Sequence, residues 1–225
     1  MIKSGVEREA VDLEFLPVMA EKGALFKSYV PRGKSTWQSN WTSKFNLTGV
    51  SWNDPRCATL IDPQFVVMAA HFQRPSNVPL FFHDRSGKSY ERYAVAYRTL
   101  TVGDIAVAKL NLPLPPSVKP FRLVNANDVK PGAPVIVSDQ TGTLSIHQIA
   151  SVNGSSIAFQ FQPDLNPVYQ RNLIVGDSGH PSFVIKRGEL FLVGTHTTGG
   201  PGAGPFYGDP VVQGAIRKSM AEMNQ

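Results

Sequence analysis

Apolar and polar residues along this chain are grouped in short runs separated by glycine, proline and other turn formers. Six such runs occupy 45–51, 57–61, 64–69, 79–83, 91–98 and 105–110, and six more occupy 134–138, 144–151, 156–161, 182–186, 189–196 and 205–208. Runs of this length, bounded by turn residues, predict β-strands. Between the two sets lies Asn111-Leu112-Pro113-Leu114-Pro115-Pro116-Ser117, where prolines remove the ladder donors a strand needs. The pattern therefore predicts an all-β chain of two antiparallel six-stranded barrels, at 45–111 and 131–208, joined by a linker at 112–130. Residues 1–44 read as an N-terminal extension or a strap across the fold. Within it Val11, Leu13 and Phe15 alternate with Asp12 and Glu14, a strand-like spacing that Leu16 and Pro17 end, and 31–44 is a polar loop. In the C-terminal segment, 209–225, the spacing changes. Val211, Val212, Ile216 and Met220 fall on one face at helical period, which predicts a helix over 210–222.

Composition narrows the picture. The chain has 225 residues, 42% of them hydrophobic and 17% charged, which is enough for a real core and argues against disorder. Its 19 glycines and 18 prolines suit many turns. The net charge is +5, but the Lys and Arg residues are scattered, with no cluster to track phosphates, so no nucleic-acid partner is expected. No apolar run approaches the length of a membrane helix, so no membrane partner is expected either. Cys57 is the single cysteine, which rules out an internal disulfide. The first nine residues lack the apolar core of a signal peptide. The expected compartment is extracellular if a signal has been removed and cytoplasmic otherwise.

Three short peptides carry the candidate chemistry. His71 ends the apolar run Phe65-Val66-Val67-Met68-Ala69-Ala70. Asp104 precedes another, Ile105-Ala106-Val107-Ala108, at the mouth of a strand just before the linker. Ser178 lies in Gly176-Asp177-Ser178-Gly179-His180-Pro181, where small neighbours allow the tight backbone path an acyl-transfer nucleophile needs. Each run alone has a bland reading: a core histidine, a turn aspartate, a Gly-rich surface turn. Their order, His then Asp then Ser, gives them weight together, because one of the known Ser-His-Asp arrangements runs that way while others do not.

The three runs resemble the triad segments of the chymotrypsin-like (trypsin-fold) serine proteases, over roughly residues 45–223. The resemblance implies two Greek-key barrels with a C-terminal helix and a serine endopeptidase acting on polypeptides without cofactor or metal. It implies a triad of His71, Asp104 and Ser178 and an oxyanion hole formed by the amides of Gly176 and Ser178. Secreted animal relatives usually carry disulfides, and Phe72 stands where they have a cysteine, so a bacterial or viral source is expected. A second segment, Gly194-Thr195-His196-Thr197-Thr198-Gly199-Gly200, resembles the specificity-pocket strand of glutamyl endopeptidases and viral 3C-like proteases. It implies that His196 recognises Glu or Gln on the acyl side, with Thr197, Thr198 and Gly199 beside it, and that the Thr197 hydroxyl supports Asp104. Leu173 departs from that pattern, which has Thr or Ser there, and neighbouring Asn172 is not acidic, so a preference for Lys or Arg is unsupported. Asp177 has no evident partner, since no activation sequence is present, and His180 departs from the usual glycine. Two other readings stay open: a non-catalytic binding protein of the same fold, and an esterase or acyltransferase using the same serine.

Overall fold

Antiparallel pairing of the apolar runs organises the computed structural model, which describes residues 16–17, 19–52 and 55–225. The alternating run at Val11–Phe15 lies outside these. The chain order is β1 (Gly23–Ala24), β2 (Phe26–Ser28), β3 (Thr36–Trp37), β4 (Thr59–Asp62), β5 (Phe65–Ala69), β6 (Leu80–His83), β7 (Ser89–Arg92), β8 (Ala94–Thr99) and β9 (Ile105–Leu110). It continues with β10 (Arg122–Leu123), β11 (Pro134–Ser138), β12 (Thr143–Asn153), β13 (Ser156–Gln160), β14 (Pro181–Lys186), β15 (Glu189–Thr195), β16 (Ala203–Pro205) and helix α1 (Pro210–Glu222). Among the described residues the structure is mostly β with one C-terminal α-helix. No helix among the described residues is long and apolar enough to cross a membrane.

Strands β4, β5, β9 and β8 form one four-stranded sheet in that order, and β6–β7 is a separate hairpin. The larger sheet runs β10-β15-β14-β11-β12-β13-β16, with β1 added on β12. A single bridge between Gly194 and Phe206 returns the chain beyond β16 to β15. These continuous ladders group the strands as four, as eight and as two separate pairs, β6–β7 and β2–β3, and no ladder among the described residues closes into a barrel. The segments expected as extension and linker are not passive. Residues 23–24 pair with Leu144 and Thr143, and 122–123 run parallel to Phe191 and Leu192.

The apolar runs owe their continuity to burial on both faces. In β5, Val66 and Met68 enter one apolar cluster with Leu60, Leu80 and Phe82, whereas Phe65 and Val67 enter another. Strand β9 divides the same way, Ala106, Ala108 and Leu110 against Ile105 and Val107. In the larger sheet, Val135, Val137 and Val184 join a third cluster, while Ile136 and Phe183 join the one shared with the first sheet. Each strand keeps its period of two, but both sets of side chains find a core, so the polar half of the alternation is missing.

Four segments differ from expectation. The run 205–208 keeps only Pro205 in a strand, since β16 begins earlier, at Ala203, and Phe206 makes an isolated bridge before the chain turns. The run 45–51 is not a strand: Asn46 accepts hydrogen bonds from the Thr48 amide and hydroxyl at 3.2 and 2.8 Å, and Val50 alone bridges, to Thr59. The run 91–98 divides at Tyr93, whose amide donates to Asn111 Oδ1 at 3.0 Å. Residues 31–44 hold β3 and a short helical turn, Trp41–Lys44, capped by Asn40. Helix α1 matches its expected bounds, with Asp209 accepting the Val211 amide at 2.8 Å and Pro210 in the first turn. Its packed face is Val212 and Ile216 with Met220; Val211 points outward, 63% exposed.

Candidate functional site

The register of β5 against β9 brings the first two candidate residues together. Ala69 pairs with Ile105, so the residues that follow β5 meet those that precede β9. A short helical turn, Ala70–Phe72, carries His71 out of the sheet. Asp104 Oδ1 accepts the His71 backbone amide at 2.8 Å, and the Asp104 carbonyl accepts the Ala70 amide at 3.3 Å. Asp104 Oδ2 then accepts from the His71 ring at Nδ1. The other ring nitrogen, Nε2, lies 3.0 Å from Ser178 Oγ. With Nδ1 donating to the carboxylate, Nε2 carries the lone pair that faces the serine hydroxyl. The His71 side chain is 48% exposed, so an incoming molecule can reach it.

Ser178 belongs to the larger sheet. It sits in the turn between Leu173, which bridges to Gly200, and Pro181, where β14 begins. Gly179 has φ +83°, and a side chain there would approach the Ala69 amide to 3.2 Å. The small residues Ala69 and Gly179 thus let the two sheets meet at the point that sets Ser178 beside His71. The turn's amides divide into two kinds. Those of Asp177, Gly179 and His180 donate to Ile174 O, His196 O and Asp177 O at 3.0, 2.8 and 3.1 Å. Those of Gly176 and Ser178 donate to no acceptor among the described residues. Two uncommitted N–H groups beside a nucleophile are what an oxyanion requires.

Asp177 is buried, and its partners are backbone amides. Oδ2 accepts Ile174 N–H at 2.7 Å and Oδ1 accepts Gln140 N–H at 3.0 Å. His180 is also buried, and its Nδ1 donates to Asp177 O at 3.2 Å, so the ring is turned into the protein.

A cavity of about 540 Å³ opens beside Ser178 and His71. Leu173, Ile174 and Val175 line one side; Thr197, Thr198 and Gly199 line the other. His196 and Asn172 are not among its lining residues: Asn172 is exposed elsewhere and His196 is 1% exposed. The His196 ring packs edge-on to Phe159, with Ser182 Oγ 3.4 Å from both ring nitrogens. Gly202 lies between it and the cavity layer; a side chain there would meet Leu173 Cδ1 at 2.8 Å and His196 Nδ1 at 3.3 Å. Burial, helped by the neighbouring His180 and His147, pushes the His196 imidazole down to about 3, so it is neutral at physiological pH. Thr197 does not support Asp104, because its hydroxyl donates to Ala203 O at 3.2 Å. The buried residue that feels the Asp104 charge is Tyr207; its hydroxyl is raised mainly by burial and pairs with Thr195 Oγ1 at 2.9 Å.

Two of the remaining histidines are structural. His83 Nε2 donates to Val30 O at 3.0 Å and His147 Nδ1 to Pro201 O at 2.7 Å. A smaller cavity of about 120 Å³ lies under the N-terminal hairpin, where the Arg85 guanidinium donates to Ser43 O and Phe45 O. No protein-family model matches the chain, and no curated protein matches it.

Proposed function

We propose that this chain is a serine endopeptidase of the two-barrel, trypsin-like kind, with His71, Asp104 and Ser178 as its triad. The observation that carries the reading is His71 between two partners, a carboxylate at Nδ1 and the Ser178 hydroxyl 3.0 Å from Nε2. In this reading Ser178 Oγ attacks the scissile carbonyl carbon while His71 Nε2 takes its proton. Asp104 holds the tautomer and stabilises the imidazolium. The Gly176 and Ser178 amides receive the oxyanion. Collapse of the tetrahedral adduct breaks the C–N bond, with the His71 proton going to the leaving amine. Water, deprotonated by His71, then cleaves the acyl-enzyme ester and restores Ser178.

The cavity carries the specificity reading. Apart from the triad histidine its lining holds no ionisable side chain. A buried carboxylate or ammonium there would lack a counter-charge, which is costly. We therefore infer an uncharged acyl-side residue, with Gln ahead of Glu. A neutral His196 N–H serves an amide oxygen without stranding a charge, provided the Leu173 side chain turns aside. Because burial pushes His196 down to about 3, this ring stays neutral and adds no pH dependence of its own to the Gln-to-Glu ratio between pH 5 and 8. The test is labelling by a fluorophosphonate, followed by mass spectrometry of the adduct, together with cleavage of a mixed peptide library across that pH range. Adduct on Ser178 and peptide cleavage after uncharged residues are expected. No labelling and no turnover would remove the enzyme reading, and cleavage mainly after Lys or Arg would remove the pocket reading.

A further inference from the structure

We propose that Gln140 is a positioning residue for the oxyanion-binding turn. It holds the Val175–Gly176 peptide in the orientation that aims the Gly176 N–H at the reacting carbonyl. The proposal rests on the endopeptidase reading above.

Gln140 touches the turn through both its main chain and its side chain. Its Nε2 donates to Val175 O at 2.9 Å. Its backbone N–H donates to Asp177 Oδ1 at 3.0 Å, and the other oxygen of that carboxylate holds Ile174 N–H. One residue on the loop between β11 and β12 thus grips the turn on both sides of Gly176. The contact is close: a side chain on Gly176 would lie 2.5 Å from Gln140 Oε1 and 2.7 Å from Nε2.

The peptide needs such a restraint. In a trans peptide the C=O and the following N–H point opposite ways, so fixing Val175 O fixes Gly176 N–H. Gly176, at φ +101°, belongs to the residue type that passes most freely between backbone regions. Val175 is 98% exposed, so little packing resists a rotation of that peptide. Gln140 N–H and its amide group supply what packing does not.

Gln140 is itself held from behind. Its neighbour Asp139 is buried; Oδ2 accepts from Arg171 Nη1 at 2.7 Å and Oδ1 from the Thr141 amide at 2.7 Å. Before it, Ser138 Oγ donates to Pro181 O at 2.6 Å, tying the end of β11 to the strand that follows Ser178. The loop that carries Gln140 is therefore anchored by the buried Asp139 and by the end of β11.

Gln140→Ala and Gln140→Glu, made in the full chain, test this. The readouts are kcat and KM on the best library peptide, the thermal midpoint, and binding of two inhibitors of one sequence. A peptide aldehyde forms an oxyanion adduct on Ser178; the analogue with a reduced CH₂–NH scissile bond does not. Gln140→Ala should lower kcat roughly 10- to 100-fold, a fraction of what losing an oxyanion donor outright costs. KM and binding of the reduced peptide should stay within about twofold, while the aldehyde weakens in step with kcat. Gln140→Glu is isosteric but sets an anionic oxygen against Val175 O, so it should fall at least as far. A kcat within twofold of wild type in either variant overturns the proposal, as does equal weakening of both inhibitors. Glu matching wild type would reduce Gln140 to a packing residue even if the Ala variant is unstable. A wild-type chain with neither turnover nor Ser178 labelling would overturn the endopeptidase reading and this inference with it, whereas an active wild type with unchanged variants overturns this inference alone.

Discussion

Two histidines, His71 and His196, each follow the end of an apolar strand, yet they inhabit opposite environments. His71 leaves β5 at the seam between the sheets, where its ring is half exposed and meets a carboxylate and a hydroxyl. His196 leaves β15 inside the larger sheet, where Phe159 and Gly202 close around it and its polar neighbours are Ser182 Oγ, at 3.4 Å, and the Ser138 backbone. Strand-end position does not make a histidine reactive. Partners of opposite character on its two nitrogens, together with access, are what in the proposed reading lets one imidazole pass a proton on. Complete burial removes that ability from the other, by disfavouring its charged form.

The largest test of this contrast is in kcat. Ser178→Ala and His71→Ala should each lower it by on the order of 10⁶, because triad members act as a unit. Asp104→Asn should cost about 10⁴ through the wrong His71 tautomer. His196→Leu should cost less than about tenfold on a peptide without acyl-side Gln, since only pocket binding is altered. Steady-state kinetics on purified, folded variants decide it, and a loss in His196→Leu equal to that of His71→Ala would abolish the distinction.

Stability against pH sharpens the same contrast. His196 has a folded value of about 3, below its ordinary 6.5, so below pH 6.5 the unfolded chain binds the proton and the folded one does not. Its contribution is present above pH 6.5 and is lost progressively as pH falls toward 3. His147 and His83, both lowered chiefly by burial, act in the same direction. The thermal midpoint should drop across this window, and His196→Leu should make the drop shallower. An identical pH profile for the variant would mean that the ring is hydrated when folded.

The smallest expected effect is on specificity. Leu173→Thr removes the apolar layer between the cavity and His196 and should raise the preference for acyl-side Gln over Leu by about tenfold, within the range one pocket contact supplies. Library profiling of this variant, alone and combined with His196→Leu, reads it directly. No change in either would leave His196 with a packing role.

Several elements were legible from local pattern. The bounds of β9, β11 and α1 agree with expectation because short continuous apolar runs, a flanking glycine or proline and the Asp209-Pro210 start are all signals within a few residues. At 45–51 apolar residues mimic a strand, and the Asn46–Thr48 hydrogen bonds that turn the chain there compete with the ladder. Among site residues, His71, Asp104 and Ser178 announce themselves through small or apolar neighbours. Gln140 does not: it is one glutamine in a loop 38 residues before Ser178, and nothing near it in sequence marks it. The Asp177 partners were equally hidden, since backbone amides leave no residue signature.

What the sequence determined by itself is the inventory and its local order: where strands can run, where turns must fall, and which polar side chains stand at strand ends. Which histidine faces solvent, which amides remain uncommitted and which acceptor takes the Thr197 hydroxyl were decided by the tertiary structure. The physical reason is range. Period and turn chemistry act over two to four residues, whereas burial and hydrogen-bond partnership are set by groups that only the sheet register brings together. Thr197 shows the difference most simply: its position in the chain suggested a bond to Asp104, and the pairing of the segment after β15 with Ala203 gave its hydroxyl to another acceptor.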